Sequence, residues 1–364
     1  MERKDLQKYL GNGVKNIVKN AVKSVFSDPR ETAFVMRFSA VSAKASAKRE
    51  KFEEQGEHIP PFLIASITSA CNLHCKGCYS RQNNATSDCA PKDQLSAEEW
   101  DRIFTEAEEL GISFILLAGG EPLMRRDVLE KAAGHPDIVF PVFTNGVFVS
   151  KEYFELFDKH RNIIPVLSIE GDREATDQRR GKGIYDRQTA NMAELKRIGT
   201  LSGASVTVTK NNLDLVMSDR YIEGLSALGS RLVIFVEYVP ADGSSADIAP
   251  DDEDRAYMEQ RMDALCEKYP EMILLSFPGD EKSSGGCLAA GRGFFHINSH
   301  GDAEPCPFSP YSDINIRDCT LRDALKSGLF RKLNDSGILM QDHTGGCVLF
   351  QHREFVEDSA AGVH

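Results

Sequence analysis

Between residues 62 and 270 the sequence repeats one phrase six times: a short apolar run, a turn, then a stretch with helical spacing. The runs are FLIASIT (62–68), FILLAGG (114–120), IVFPVFTN (138–145), IIPVLSIEG (163–171), ASVTVT (204–209) and LVIFVEYVP (232–240). Runs that are apolar throughout suit strands buried on both faces of a parallel sheet, and parallel neighbours need a crossover, which the helical stretches supply. One helix is legible in detail. In SAEEWDRIFTEAEELG (96–111) Ser96 caps the first turn and Glu99 completes a capping box. Trp100, Ile103, Phe104, Ala107 and Leu110 form one apolar stripe, and Gly111 ends the helix. The alternation predicts an α/β fold, a partial (β/α)6 barrel of the TIM type, with functional residues where strands end and loops begin.

Both ends depart from this rhythm. Residues 1–58 read as an N-terminal helical extension and connector. VKNIVKNAVKSVF (14–26) sets Val14, Ile17, Val18, Val22, Val25 and Phe26 on one stripe, with Lys15, Lys19 and Lys23 four apart on another. Such a basic amphipathic helix suits a groove of its own protein, an anionic membrane surface or a protein partner; docking on its own protein is the expectation. Residues 59–270 form the barrel. Residues 271–364 form a smaller C-terminal domain: MILLSF (272–277) resembles one more strand, 283–310 is a Gly- and Pro-rich hairpin, and TLRDALKSGLFRKL (320–333) is helical.

The 364 residues are 41 % hydrophobic, enough for a buried core. No apolar run approaches the ~20 residues of a membrane-spanning helix, and MERKDLQKYL is too polar for a secretion signal. The net charge of −12 is uneven: residues 1–51 hold 12 Lys/Arg against 5 Asp/Glu, a balance of +7, so the remainder carries −19. An acidic body argues against nucleic-acid binding, because little there would displace phosphate counterions.

Nine cysteines, an odd number without the spacing of a small secreted framework, point to a reducing, cytoplasmic compartment and metal-binding thiols. Three lie in CNLHCKGCY (71–79), directly after the first strand: Cys71, Cys75 and Cys78, spaced Cys-x3-Cys-x2-Cys. Structural zinc would need a fourth ligand, for which His74 and Cys89 are at hand. Thiol exchange would use two cysteines and leave one idle. Three thiolates can also hold three irons of a four-iron cluster and leave one iron open. From the spacing, all three readings stand.

The surrounding motifs narrow them. The segment resembles the cluster loop of the radical S-adenosylmethionine (SAM) enzymes. AGGEP (118–122), TNG (144–146), SIEG (168–171) and DQRRGKGIYDR (177–187) resemble that family's strand-end motifs, in order, over roughly residues 60–240. The resemblance implies that Cys71, Cys75 and Cys78 hold a [4Fe–4S] cluster whose open iron binds SAM. Reductive cleavage would then give a 5′-deoxyadenosyl radical that takes hydrogen from an unidentified substrate, a peptide, protein or small molecule. It also implies a low-potential electron donor of flavodoxin or ferredoxin type. On the same ground Gly119, Gly120, Glu121 and Pro122 would meet the methionine end of SAM, the glycines by letting backbone approach closely. Asn145 joins the cofactor site, and Ser168 and Glu170 face the ribose. Arg180 pairs with the SAM carboxylate or with a local acid such as Asp177. One position departs: the residue before the third cysteine, often aromatic in the family, is Gly77, and Tyr79 is taken as the packing aromatic.

A second set lies downstream. Cys287 and Cys306 are spaced Cys-x13-Gly-x4-Cys around Gly301, which resembles the start of the SPASM or shorter Twitch auxiliary-cluster domain. The dense run of cysteines that completes SPASM is missing. Cys347 and Cys319 are the remaining candidates, so the resemblance implies one auxiliary [4Fe–4S] cluster, with His343 as another candidate ligand. Zinc at these thiols, and for the whole chain a non-catalytic iron–sulfur carrier or sensor, are the competing readings. Cys266, on a helix with Met258, Met262 and Leu265, reads as core.

Overall fold

A computed structural model describes residues 3–24, 28–241, 245–277, 284–341 and 347–361. His343, a candidate ligand from the sequence, lies outside the described residues, as do Val25 and Phe26 of the N-terminal stripe.

Seven parallel strands follow the predicted order: β1 (Phe62–Thr68), β2 (Phe114–Gly119), β3 (Phe140–Thr144), β4 (Ile163–Ser168), β5 (Gly203–Val208), β6 (Leu232–Glu237) and β7 (Ile273–Phe277). Each pairs in parallel with its neighbour, Phe62 opposite Phe114 and Gly203 opposite Leu232 for example. The sheet runs on past residue 270 at both edges. β7 extends it beside β6, while β8 (His296–Ile297) returns to pair in parallel with β1 and forms a hairpin with β9 (Ala303–Glu304). The result is an open, barrel-like parallel sheet, as the alternation predicts.

The crossover between β1 and β2 shows why the chain folds this way locally. Helix Ala97–Leu110 begins with the Ser96–Glu99 capping box, and its stripe of Trp100, Ile103, Phe104, Ala107 and Leu110 is buried. Gly111 closes it at φ +82, where an added Cβ would lie 2.7 Å from the Ala45 carbonyl.

That contact belongs to the N-terminal extension. Helices α1 (Arg3–Ser24) and α2 (Pro29–Glu54) pack as a hairpin. Lys48 Nζ and Arg49 Nη1 donate to the Glu108 and Gly111 carbonyls at 2.9 and 2.5 Å, satisfying the end of the crossover helix. Val14, Val18, Val35 and Phe38 join one apolar cluster with Val139, Ile164, Leu201, Leu232 and Ile273, residues at or just before strand starts. The extension therefore covers the N-terminal ends of the strands, as expected of a helix docking on its own protein, and leaves the opposite ends open for chemistry. Phe38 is 4 % exposed and meets Phe114 edge-on at 5.3 Å. Phe38→Ala is expected to cost about 3–4 kcal/mol in urea unfolding, whereas Met36→Ala, at an exposed position on the same helix, stays within about 0.5 kcal/mol.

Candidate active site

The cysteine loop and the AGGEP, TNG and SIEG motifs end up at the C-terminal ends of β1 to β4, the first two bound to each other through the backbone. β1 leads through Ala70 into Cys71. The N–H of Gly120 donates to the Thr68 carbonyl at 2.7 Å, and that of Glu121 to the Ala70 carbonyl at 2.8 Å. A Cβ on Gly119 would lie 2.3 Å from Thr68 O, and one on Gly120 2.1 Å from Ala70 O. The close approach that these glycines permit is thus made to the start of the cysteine loop itself.

Glu121 is fully buried and brackets three strand exits. Its Oε1 accepts from Leu123 N–H (3.0 Å) and the Thr144 hydroxyl (2.7 Å), and its Oε2 from Asn145 N–H (2.8 Å). Burial pushes its pKa up while these donors pull it down, and the net shift is upward. Pro122 begins the single 3-10 turn that follows. Asn145 Nδ2 donates to Asn72 Oδ1 at 2.9 Å and lies 4.0 Å from Cys71 Sγ, tying the TNG turn to the cysteine loop.

Across the mouth, the Ser168 hydroxyl meets the Ser205 hydroxyl at 3.2 Å. Glu170 is 1 % exposed. One oxygen accepts from Arg180 Nε at 2.7 Å and the other from Thr207 N–H at 2.8 Å. Arg180 therefore pairs with Glu170; Asp177 instead accepts from the N–H groups of Gly183 and Tyr185. Arg180 Nη1 lies 3.8 Å from Cys75 Sγ, and Lys76 N–H donates to the Arg179 carbonyl at 2.9 Å. A permanent cation thus stands beside the first thiol set.

Cys71, Cys75 and Cys78 are all partly exposed on this loop. Burial holds the Cys71 thiol up at about 11, the Leu73 N–H working against it, with Glu121 and the other two thiols adding to the rise. A ligand thiolate must lose that proton, and a bound cation would supply the compensation. Among the described residues no three His, Cys, Asp or Glu side chains converge as ligands of one metal ion. Thiols near enough to influence one another's ionisation, on one loop and beside a cation, suit a polynuclear cluster with several corners.

Two aromatic positions differ in role from their place in the sequence. Tyr79 turns toward the second thiol set, packing edge-on on Phe308 at 4.7 Å. The ring over Gly77 belongs to Tyr238, just past β6: a Cβ at Gly77, whose φ is +64, would meet that ring at 2.7–3.0 Å. The Tyr238 hydroxyl is buried with no partner, a donor left for a ligand in the mouth. Nothing near Gly77 in the sequence signals Tyr238; only its place at a strand exit does.

Cys287, Cys306 and Cys347 are buried at 7, 4 and 8 % exposure. The Cys306 thiol is driven well up, first by burial and then by Cys347 and Cys287, so the three face one another across 60 residues of chain. Cys319 stands apart: its Sγ donates to the Asn315 carbonyl at 3.3 Å, and its charged neighbours are Asp323, Arg102, Glu106 and Asp318. A buried chain that the sequence reading passed over runs beside this set. His296 Nδ1 meets Glu304 Oε2 and His296 Nε2 meets Ser66 Oγ, both at 2.7 Å, joining β8 and β9 to β1. Cys266 sits on helix Asp252–Lys268 with an exposed surface, outside both sets.

Residues 65–217 match the model of the Radical SAM superfamily. The chain carries a radical SAM domain. It is 27 % identical over 322 residues to the AdoMet-dependent heme synthase of Methanosarcina barkeri, spanning 81 % of this chain and 89 % of that protein. It is 28 % identical over 278 residues to the mycofactocin maturase MftC of Mycolicibacterium smegmatis, spanning 71 % and 67 %. In fold it resembles Streptococcus suis SuiB bound to S-adenosylmethionine, with a TM-score of 0.64 at 17 % identity over 80 % of this chain and 72 % of SuiB. As a radical SAM enzyme it is of a kind that uses SAM and a [4Fe–4S] cluster, and the thiols, the cation and the unpartnered donor fit that requirement.

The Gly77–Tyr238 contact is directly testable. Gly77→Ala is expected to lower the iron retained after reconstitution by about half or more, because both φ and the ring oppose a Cβ. Adding Tyr238→Ala should restore part of it. Iron and sulfide content per chain checks both.

Proposed function

We propose that this enzyme cleaves SAM reductively to a 5′-deoxyadenosyl radical that takes a hydrogen atom from an organic substrate, a peptide, protein or small molecule reached through the C-terminal mouth. The observation that carries the reading is the convergence of Cys71, Cys75 and Cys78 with the Gly120–Glu121 turn and Arg180 at one end of the sheet. Cys71, Cys75 and Cys78 would hold the [4Fe–4S] cluster, which when bound supplies the electron and an iron site for SAM.

The remaining work falls to the chain. The N–H groups of Gly120 and Glu121 are engaged inward with β1, so this turn would meet the SAM amino group through carbonyl oxygen, the acceptor an ammonium needs. Pro122 starts the turn that fixes those carbonyls, and Asn145 holds the cysteine loop to it. Ser168 would face the ribose together with Ser205. Glu170, with both oxygens engaged, acts through Arg180 by holding the guanidinium next to Cys75; Arg180 in turn favours the anionic state of the ligands and attracts the carboxylate of SAM. Tyr238 and Tyr79 wall the loop on its two sides.

Cys287, Cys306 and Cys347 would hold one auxiliary [4Fe–4S] cluster, leaving Cys319 as a packing residue. Residues 59–270 together with β7 would make up the catalytic barrel, and the later residues to 364 the auxiliary-cluster domain, whose β8–β9 hairpin is added to the same sheet beside β1. A low-potential flavodoxin- or ferredoxin-type protein would deliver the electron, and the thiol-rich chemistry suits a reducing cytoplasm. No described helix is long and apolar enough to cross a membrane.

Two measurements test this. The Cys71→Ala/Cys75→Ala/Cys78→Ala variant should make no 5′-deoxyadenosine after anaerobic reconstitution and reduction, where the wild-type chain does. Cys306→Ala should lose about four irons per chain while retaining measurable SAM cleavage; an unchanged iron count excludes the auxiliary cluster.

A further inference from the structure

The face of the N-terminal hairpin turned away from the sheet carries a feature that radical chemistry does not use. Lys15, Lys19 and Lys23 are exposed, four residues apart on α1, in a row about 12 Å long. None makes an ion pair with a described residue. The row rims a groove of about 440 Å³ between α1 and α2. Half-buried Val22 and the edges of Val14 and Val18, whose bodies pack on the strand ends, line its floor, and the small residues Ser39, Ala43 and Ser46 keep the α2 side low. Met36, 63 % exposed, lies three residues before Ser39 and seven before Ala43, on the same face of α2. An apolar trough, a projecting methionine and a cationic rim together match an acyl chain topped by an anionic headgroup.

We infer that this hairpin docks the enzyme on an anionic phospholipid bilayer. Charge sets the orientation. Residues 52–364 carry −19 and would be repelled by such a surface; within the basic segment Arg30 and Arg37 pair with Asp158 and Asp137 and Arg49 is buried, so the Lys15–Lys19–Lys23 row is the cationic surface that favours approach. Because the hairpin covers the N-terminal ends of the strands, docking turns the thiol-bearing mouth away from the bilayer. The enzyme at a membrane then meets a substrate arriving from the aqueous side. The inference does not rest on the proposed reaction, and SAM cleavage measured in the same preparations separates the two.

The test is sedimentation of the full-length chain with vesicles of phosphatidylcholine alone or with about 30 % phosphatidylglycerol, at low and moderate salt. Binding is expected only with phosphatidylglycerol, falling as salt rises. K15Q/K19Q/K23Q should weaken it about a hundredfold. The charge-matched control K92Q/K151Q/K159Q, at exposed lysines elsewhere, should not. Met36→Ser, which removes the projecting apolar side chain without changing charge, should weaken it about tenfold, with thermal melting confirming that each variant is folded. Equal sedimentation with both vesicle types, or full retention by the lysine variant, overturns the inference. Absence of sedimentation with either type also overturns it.

Discussion

Two backbone hydrogen bonds, Gly120 N–H to Thr68 O and Glu121 N–H to Ala70 O, set the geometry on which the rest of the site depends. They splice the exit of β2 onto the last residues before Cys71. A cysteine loop is by itself mobile backbone, and it can present three thiols to one ligand only if both its ends are fixed. The splice fixes one end. The other is held by Lys76 N–H on Arg179 O and by the Tyr238 ring over Gly77. Glycine is required at 119 and 120 because the neighbouring strand's carbonyls occupy the space of a Cβ, so the motif first serves the architecture of the loop and only then the ligand.

Electrostatics builds on that frame. A buried acid is costly unless its oxygens are engaged, and here Glu121 and Glu170 are each bonded to more than one strand exit or helix. They act as brackets of opposite consequence. Glu121 adds negative charge near Cys71 and, with burial, keeps that thiol protonated. Glu170 fixes Arg180, which brings positive charge to Cys75. Without a cation the Cys71 thiol favours its neutral form, and with one the loop is already shaped to release that proton. Ligand binding and deprotonation are thereby one event.

Local pattern was legible in the sequence, and spatial convergence was legible only in part. The Ser96–Glu99 capping box, the six strand runs, the extra strand at 273–277 and the docking of the N-terminal helix depend on neighbours within a few residues or on one apolar stripe, and each is found. The pairing of β8 with β1 joins residues more than 200 apart with two residues of strand, too short a run to signal itself. Tyr238 gave no signal because its partner is a glycine, which displays need for space and no complementary chemistry. Cys319 has the right residue type near the right segment, yet its thiol points into the Asn315 carbonyl beside the β1–β2 crossover helix. Residue type and order cannot report that direction.

The open sheet explains why the second thiol set lies where it does. β7 is one end of the parallel sheet, and β8, beyond β1, lies toward the other; residues 284–295 are the described part of the passage into β8. Cys287 lies on that passage. Phe277, closing β7, meets Phe294 at 5.4 Å and Phe308 at 6.1 Å, and Phe308 meets Tyr79 of the first loop. These four rings form one run of contacts that links β7, the segment of the second set and the first loop. Aromatic packing tolerates small shifts that a hydrogen-bonded ladder does not. The two thiol sets are therefore joined by the more compliant kind of contact, while each is anchored to β1 by rigid ones, through the Gly120–Glu121 splice on one side and the His296–Ser66 bond on the other.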